Sequence, residues 1–295
     1  METEILYGKA VSTHIKNELS SDVSRLKEKN VIPGLAAIIV GNDPASKVYV
    51  RNKSKAFKEN GCYSETFTLE EDATEKDLLD LIEKLNNDNK FHGILVQLPL
   101  PCHIDSKRVL NHVSPIKDVD GFHPLNLGHL IEGNPSFIPC TPNGIVKMLD
   151  YYNIDTQGKH VVIIGRSNIV GKPMFALLSQ KFKIGNSTVT MCHTGTKDIS
   201  YFTKQADIIV AAVGVPEMLT GDMIKEGACL IDVGINRVDA PTSKKGYKLV
   251  GDIDADSVMG KASSLSPVPG GVGPMTITML LFNTIKSANN SSKIG

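Results

Sequence analysis

The feature that most limits how this chain can fold is a short apolar run ending in a glycine turn, at residues 161–173. The run Val-Val-Ile-Ile predicts a strand buried on both faces. It ends at Gly165, and a helical pattern begins near Val170. Such a turn directs free backbone N–H groups and the positive end of the helix dipole at one point, which suits a phosphate.

The glycines of this turn are only related to the usual dinucleotide fingerprint G-x-G-x-x-G. Gly165 and Gly171 are present, but Ser167 stands where the second glycine would be. Turns of this kind without a ligand are common, so a nucleotide site and a purely structural turn both remain open on this stretch alone.

Short apolar strands alternate with amphipathic helices along the chain, which predicts parallel strands with helices on both faces. The later strands form a βαβαβ pattern typical of a Rossmann-type half, at 161–165, 188–192, 207–213 and 229–233. We therefore predict an α/β fold of two lobes, an N-terminal α/β lobe and a Rossmann-type lobe.

The change of lobe is predicted at residues 139–144, where Thr141 can cap a helix and Pro142 suits its first turn. The Pro/Gly-rich residues 267–274 predict a stiff loop without strand or helix potential. The apolar helix at 275–285 is too short for a membrane span, and we expect it to return to the first lobe.

Composition excludes several kinds of partner and site. The chain has 32 basic and 32 acidic residues, so nothing suggests nucleic acid or an anionic membrane. Five cysteines, odd in number and without C-x-x-C, indicate reduced thiols, and no metal-ligand spacing is present. We expect a cytoplasmic protein with no metal, no membrane span and no targeting segment.

The end of the second Rossmann-type strand indicates which dinucleotide is bound. NAD-binding folds usually place an acidic residue there, roughly 20 residues past the glycine turn. Residues 156–197 contain no Asp or Glu, but five Lys and one Arg. Arg166 and Thr194 suit a 2′-phosphate, which favours NADP over NAD; a merely basic surface is the alternative.

Three features of the first lobe suggest chemistry. Tyr49 and Lys53 share one helix face, where partial burial of a lysine favours proton transfer, although most such lysines are simply solvated. Gln97 lies in an apolar run and must find partners, either in a neighbouring loop or at the ligand-binding end of a strand. Asp118 and Asp120 suit a cation, a turn, or two parallel hydrogen bonds from a pyrimidinone edge.

Five motifs follow one another along the chain: Tyr-x-x-x-Lys at 49–53, Val-Gln-Leu-Pro-Leu-Pro at 96–101, Lys-Asp-Val-Asp-Gly at 117–121, Gly-Arg-Ser-Asn-Ile-Val-Gly-Lys-Pro at 165–173 and Pro-Gly-Gly-Val-Gly-Pro-Met-Thr at 269–276. Together they resemble the bifunctional methylenetetrahydrofolate dehydrogenase/cyclohydrolase (FolD) family, in the family's order and over essentially the whole chain. The resemblance implies oxidation of 5,10-methylenetetrahydrofolate with NADP, then hydrolysis of the methenyl product to 10-formyltetrahydrofolate.

The resemblance also implies an organisation and a set of site residues. Residues 1–140 with 274–295 would bind folate, residues 141–273 would bind NADP, the folate would lie in the cleft between the lobes, and the NADP lobes would form a homodimer. Lys53 would be catalytic, with Gln97 as its partner, Tyr49 stacking on the substrate and Asp120 binding the pterin. Further substrate contacts would be Val96, Leu98, Pro269, Gly270, Gly271 and Val272. NADP contacts would be Gly165, Arg166, Ser167, Thr194 and Ile235; Thr194 replaces the family's usual Ser, and Gly195 its usual basic residue.

Two other classes of protein stay open. A shikimate-type dehydrogenase also pairs a lysine with a Rossmann-type lobe, but it does not need the Pro-Gly-Gly-Val-Gly-Pro loop. A catalytically silent NADP sensor does not need Lys53, Gln97 and Asp120 together. Reduction of NADP⁺ by methylenetetrahydrofolate, and not by shikimate, distinguishes the three.

Overall fold

The computed structural model describes residues 1–241, 243 and 246–292. Its strands are β1 (Glu4–Ile5), β2 (Gly34–Val40), β3 (Tyr63–Leu69), β4 (Gly93–Val96), β5 (His160–Ile164), β6 (Thr188–Cys192), β7 (Ile208–Ala211), β8 (Cys229–Asp232), β9 (Asn236–Asp239), β10 (Tyr247–Val250) and β11 (Ser264–Leu265). Its helices are α1 (Gly8–Glu28), α2 (Pro44–Glu59), α3 (Glu75–Asn87), α4 (Ser106–His112), α5 (Pro124–Ile131), α6 (Cys140–Tyr151), α7 (Gly171–Ser179), α8 (Ile199–Thr203), α9 (Ala255–Val258) and α10 (Val272–Ser291).

These elements form two compact units. The first lobe contains residues 14–140 together with the chain from residue 277 onward, and the second contains residues 1–13 and 141–276. The predicted α/β fold of two lobes is confirmed, including the return of the C-terminal helix to the first lobe. The N-terminal residues differ from the predicted boundary, because β1 pairs in parallel with β11 and so extends the sheet of the second lobe.

The first lobe is built on a three-stranded parallel sheet in the order β3-β2-β4. Every residue of β2 is buried, as expected for a central strand with helices on both faces. Helix α3 packs its apolar stripe of Leu78, Ile82 and Leu85 into this core, and a capping box at Thr74 begins it. Strand β4 lies beside the Asp118 segment, through a parallel bridge from Ile94 near the start of the strand.

The second lobe is built on a six-stranded parallel sheet in the order β1-β11-β8-β7-β5-β6. Residues 161–164 of β5 are fully buried, as the apolar run predicts, and β5 lies between β7 and β6. The hairpin of β9 and β10 was not predicted; it is a separate two-stranded antiparallel ribbon.

Helix α10 begins earlier than its composition predicts. It starts at Val272, inside the stretch expected to be a loop, and not near Met275. Pro274 is tolerated because it falls in the first turn, where a backbone N–H has no partner within the helix. Among the described residues, no helix is long and apolar enough to cross a membrane.

Candidate active site

Helix α2 carries the tyrosine and the lysine of the first motif. The Asp43 carboxylate caps its start by accepting from the Ser46 N–H at 2.7 Å, and a proline opens its first turn. Tyr49 and Lys53 lie on one face, one turn apart. The Tyr49 ring is half-exposed, whereas Lys53 is 8% exposed, so the helix presents a ring to solvent and a shielded amine beside it.

The Lys53 amine is held by Gln97, which follows directly on β4. Lys53 Nζ donates to Gln97 Oε1 at 3.1 Å, and Gln97 Nε2 donates to the carbonyl oxygen of Leu98 at 2.7 Å. The second bond fixes which end of the amide faces the lysine, because only an NH₂ group donates to a carbonyl. Gln97 is therefore a fixed acceptor at the carboxyl end of a parallel strand, where α/β sheets place ligands.

Asp120 lies close enough to Lys53 for the two charges to interact. Burial raises the pKa of its carboxyl to about 6, the Lys53 charge opposes that rise, and nearby Asp118 adds to it. The Cys140 thiol donates to the Val119 carbonyl oxygen at 3.4 Å, and its proximity to Asp120 also opposes the rise. At neutral pH the group is thus an ionised, half-buried acceptor close to a buried amine.

Asp118 is bound by groups of its own lobe. Its carboxylate accepts from the Phe122 and His123 N–H groups at 3.2 and 2.8 Å, and from Asn126 Nδ2 at 2.8 Å. Burial raises its pKa, while these bonds oppose the rise. Of the three interpretations left open for this aspartate, the turn is the one that the contacts favour.

Two residues that the sequence did not single out complete this part of the lobe. Asn283 of α10 donates from Nδ2 to the carbonyl oxygens of Val119 and Ile138, at 2.8 and 3.0 Å, and so ties the Asp120 segment to the C-terminal helix. Cys140 lies beside Asp120, although its motif indicated only the start of a helix. An asparagine directly after the apolar run Met279–Phe282 of α10 was the available signal.

In the second lobe, the glycine turn after β5 has the tight geometry that its sequence predicts. Gly165 has φ +125°, and a Cβ there would overlap the Ala212 carbonyl oxygen. A Cβ on Gly171 would overlap the carbonyl oxygen of Gly165. Ser167 Oγ accepts from the Val170 and Gly171 N–H groups at 3.1 and 3.3 Å, so it caps α7. The turn thus leaves a close backbone approach at the start of a helix, which fits a pyrophosphate.

The remaining predicted cofactor contacts lie at strand ends of the same sheet. Arg166 is exposed next to the turn, Thr194 is exposed two residues after β6, and Ile235 is 47% exposed after β8. All three come shortly after the carboxyl ends of strands of one parallel sheet, β5, β6 and β8. The cationic Arg166 follows β5 and the polar Thr194 follows the neighbouring strand β6, which fits an adenosine 2′-phosphate at this end of the sheet.

The predicted substrate contacts divide between the lobes. Val96 is buried at the end of β4, and Leu98 is half-buried before a cis bond to Pro99. In the second lobe, Val268 and Pro269 are also joined by a cis bond, and the Gly271 N–H donates to the Pro267 carbonyl oxygen at 2.7 Å. Pro269 is exposed, Gly270 is half-buried, and Gly271 and Val272 are buried.

Family models match both parts of the chain. Residues 6–120 match the tetrahydrofolate dehydrogenase/cyclohydrolase catalytic domain, and residues 139–292 match the NAD(P)-binding domain of the same family. The second match confirms the prediction of a nicotinamide dinucleotide cofactor for the Rossmann-type lobe.

Individual relatives agree over almost their full length. The bifunctional protein FolD of Chlorobium phaeobacteroides (strain BS1) is 57% identical over 286 residues, 96% of this chain and 96% of that protein. The FolD structure from Campylobacter jejuni is 50% identical, with a TM-score of 0.92, and covers 98% of this chain and 99% of its own. The Trypanosoma brucei FolD structure, complexed with NADP and an inhibitor, is 38% identical, with a TM-score of 0.93 and 99% of each chain covered.

These matches confirm the predicted family and decide against the shikimate-type alternative. They extend over both lobes and include the order of the catalytic and dinucleotide-binding domains. The chain belongs to the tetrahydrofolate dehydrogenase/cyclohydrolase family, whose bifunctional members act in one-carbon folate metabolism.

Proposed function

We propose that four side chains of the first lobe, Tyr49, Lys53, Gln97 and Asp120, serve both folate reactions of this family. The first reaction oxidises 5,10-methylenetetrahydrofolate to the methenyl cation with NADP⁺, and the second hydrolyses that cation to 10-formyltetrahydrofolate. The observation that carries the proposal is the Lys53–Gln97 hydrogen bond at the end of β4, with Asp120 nearby. A shielded amine, a fixed acceptor and a carboxylate are thereby assembled within one lobe.

Asp120 orients the substrate. A pterin presents a ring N–H and an amino group side by side, and one carboxylate accepts from both, as it does from a guanidinium. Asp118 is not free for this task, since it accepts from Asn126 and two backbone N–H groups. Asp120 has the ionisable, half-buried carboxylate that such a pair of donors needs.

Lys53 manages the proton in the hydrolysis. The oxygen of water bonds to the methenyl carbon, the C–N5 bond then breaks, and of the two water protons one ends on N5 while the other is released. An amine held at a fixed point near the reacting carbon can carry a proton between those positions. Gln97 keeps the Lys53 amine at that point, through its 3.1 Å bond.

Hydride transfer depends mainly on positioning. When bound, NADP⁺ supplies the carbon that accepts the hydride. The half-exposed Tyr49 ring of the first lobe stacks on the folate rings. In the second lobe, the glycines after Pro269, Gly270 and Gly271, allow a ligand to approach the backbone closely. No proton transfer by Lys53 is needed in this step, so the two activities depend differently on the lysine.

The dinucleotide is NADP in preference to NAD. Arg166 and Thr194 supply a cation and a hydroxyl for a 2′-phosphate, and residues 156–197 provide no carboxylate for a free ribose hydroxyl. Gly165, Gly171 and Ser167 shape the turn that receives the pyrophosphate, and Ile235 contacts the nicotinamide side.

The enzyme is a cytoplasmic homodimer, associating through the second lobe. Strand β6 ends the six-stranded sheet, and such an edge is ordinarily paired, covered or charged. Two aromatic rings of the same lobe, Phe175 and Phe182, are 41% and 40% exposed, as is typical of an interface. The five free cysteines suit a reducing compartment.

The test of the function uses the purified full chain. Methylenetetrahydrofolate with NADP⁺ should produce NADPH, and methenyltetrahydrofolate alone should be hydrolysed with loss of its absorbance. NAD⁺ should serve as a much poorer oxidant. An enzyme that forms no NADPH, or that leaves methenyltetrahydrofolate to its uncatalysed rate, would contradict the proposal.

A further inference from the structure

Two aspartates of the second lobe are almost completely buried and take no part in the chemistry proposed above. Asp232 is the last residue of β8 and is 3% exposed, and Asp252 follows β10 and is 0% exposed. Burial raises the pKa of Asp232 to about 7, and the charge of Asp252 adds to that rise. Burying a carboxylate lowers the stability of the fold unless the group accepts hydrogen bonds. The donors that it binds therefore indicate which segments it holds in place.

Asp232 holds Asp252 in place. Its Oδ1 accepts from the N–H of Gly234 at 3.0 Å and from the N–H of Asp252 at 2.9 Å. Its Oδ2 accepts from the N–H of Ile253 at 2.9 Å. The segment after β10 is thereby tied to the end of β8.

Asp252 in turn holds the chain that follows two neighbouring strands. Its Oδ2 accepts from the N–H groups of Val213 and Gly214, after β7, at 2.7 and 2.9 Å. Its Oδ1 accepts from Asn236 Nδ2 at 2.9 Å. Ile235 therefore lies between two anchored residues, Gly234 on Asp232 and Asn236 on Asp252.

The glycines of these segments are fitted to the carboxylates. A Cβ added to Gly234 would overlap the Asp252 carboxylate, and a Cβ added to Gly251 would overlap the Asp232 carboxylate. The Asp252 carboxylate thus packs against the backbone of Gly234, two residues after Asp232. The Asp232 carboxylate packs against the backbone of Gly251, directly before Asp252. We call this arrangement of Asp232, Asp252, Gly234 and Gly251 the carboxylate clamp.

The order of the sheet tells which half of the dinucleotide the clamp faces. The glycine turn follows β5, and the expected 2′-phosphate contact Thr194 follows β6, on one side of β5. The segments held by Asp252 follow β7 and β8, on the other side of β5. A dinucleotide that crosses the carboxyl ends of these strands, with its pyrophosphate at β5 and adenosine at β6, places its nicotinamide over β7 and β8.

The held segment also touches the glycine turn itself. The Ala212 N–H donates to the Ile164 carbonyl oxygen at 2.8 Å, and the Ala212 carbonyl oxygen occupies the space that a Cβ on Gly165 would need. A shift of Val213 and Gly214 would therefore also move Ala212 and change the shape of the glycine turn at Gly165.

We propose that Asp252, fixed by Asp232, is a positioning residue that holds the Val213–Gly214 and Ile235 segments in the shape that receives the nicotinamide half of NADP. This inference rests on the proposed role of the second lobe in binding NADP. It makes Asp252 a determinant of hydride transfer that does not touch the folate.

Asp252→Asn is the sharpest perturbation, because an amide cannot satisfy both sides. If its oxygen accepts from Val213 and Gly214, its NH₂ faces the NH₂ of Asn236; turned the other way, its NH₂ faces the two backbone donors. Asn236 cannot simply reverse, because its Nδ2 also donates to the Gly251 carbonyl oxygen at 3.2 Å. In either case Asp252→Asn loses the hydrogen bonds on one side, either those from Val213 and Gly214 or the one from Asn236. We therefore expect about a tenfold fall in kcat/KM for NADP⁺.

The experiment separates the two halves of the dinucleotide in the full-length enzyme. Dehydrogenase kcat and KM for NADP⁺ are measured with Asp252→Asn, and binding of adenosine 2′,5′-bisphosphate, which has no nicotinamide, is measured by calorimetry. The proposal predicts that kcat/KM for NADP⁺ falls about tenfold. Bisphosphate affinity and cyclohydrolase activity should stay within about twofold of wild type. Asp256→Asn, which removes an exposed carboxylate of the same lobe, is the matched control and should change none of them.

Other outcomes are decisive as well. Unchanged NADP⁺ kinetics in Asp252→Asn overturn the inference, and so does an equal loss of NADP⁺ and bisphosphate binding, which would mean that the clamp supports the lobe as a whole. If Asp252→Asn does not fold, Asn236→Ala can be used, since of the hydrogen bonds to Asp252 it removes only the one to Oδ1. This variant should raise the KM for NADP⁺ and leave the affinity for the bisphosphate unchanged. Unchanged NADP⁺ kinetics in Asn236→Ala would refute the inference. A wild-type enzyme that binds neither NADP⁺ nor the bisphosphate would instead refute the proposed function.

Discussion

The role of Asp120 can be tested by removing one of its acceptor oxygens. Asp120→Asn replaces an oxygen that accepts a pterin hydrogen bond by an NH₂ that faces a donor. A buried mismatch of this kind costs about 1–3 kcal/mol, which is roughly one to two powers of ten in affinity. The KM for the folate should rise by that factor in both the dehydrogenase and the cyclohydrolase assay, while NADP⁺ binding stays unchanged.

Acid should reproduce the effect of this substitution in the wild-type enzyme. Burial raises the pKa of Asp120 to about 6, against the pull of the Lys53 charge. Only the ionised group accepts from both pterin donors, so folate affinity should fall roughly tenfold for each pH unit below that pKa. The Asp120→Asn enzyme lacks the titrating group, and the extra loss below about pH 6 should be absent from its profile.

The stability of the fold should move in the opposite direction, which separates binding from unfolding. Because the folded pKa of Asp120 lies above its ordinary value, the folded state binds the proton more tightly than the unfolded state. This group therefore adds stability as the pH falls from about 6 to about 4, and the difference in Tm between wild type and Asp120→Asn should change accordingly.

Asp118→Asn is the control for this experiment. It disturbs a carboxylate that accepts three hydrogen bonds within the lobe, so it should lower Tm and leave the folate KM of the folded enzyme close to wild type. A folate KM that rises in Asp118→Asn and not in Asp120→Asn would refute the assignment. A wild-type KM that stays constant well below pH 6 would refute the titration argument.

Three further substitutions test other parts of the account. Arg166→Ala should raise the KM for NADP⁺ and leave that for NAD⁺ nearly unchanged in steady-state assays; equal losses would assign Arg166 to the pyrophosphate. Gln97→Leu removes the acceptor of Lys53 and should lower cyclohydrolase activity about tenfold or more, with a smaller effect on NADPH formation; equal rates for wild type and variant would exclude the amide as its partner. Phe175→Lys places a charge on an exposed ring of the second lobe and should shift the mass measured by analytical ultracentrifugation toward the monomer; an unchanged dimer would put the interface elsewhere.

Features that depend on neighbouring residues could be predicted from the sequence. The buried strand before Gly165 follows from four consecutive apolar residues, and the stripe of α3 follows from its helical spacing. The position of Gln97 at a strand end also follows locally, because an amide within an apolar run needs partners. Its hydrogen bond to Lys53 joins residues 44 positions apart, and only the family resemblance linked them beforehand.

Features that depend on distant pairing could not be predicted. Strand β1 has two residues, too few for any periodicity, and its partner β11 lies at the other end of the chain. Gly273 lowers the helix propensity at the start of α10, yet the helix begins before it, at Val272, where Pro274 falls in the first turn. Asp232 and Asp252 each follow an apolar run, which is also what an ordinary turn looks like; their mutual contacts appear only when β8 and β10 have folded.

The central claim, that a single lysine separates the two chemistries, is tested most directly by Lys53→Met. The substitution keeps the volume of the stem and removes the amine, and Lys55→Met, an exposed lysine of the same helix, is the matched control. Both activities are measured on the same preparation. The account predicts that hydrolysis of methenyltetrahydrofolate falls at least about a hundredfold, while NADPH formation is reduced but persists and the Lys55→Met enzyme resembles wild type. A Lys53→Met enzyme that hydrolyses methenyltetrahydrofolate at the wild-type rate, or that loses both activities to the same extent, would contradict it.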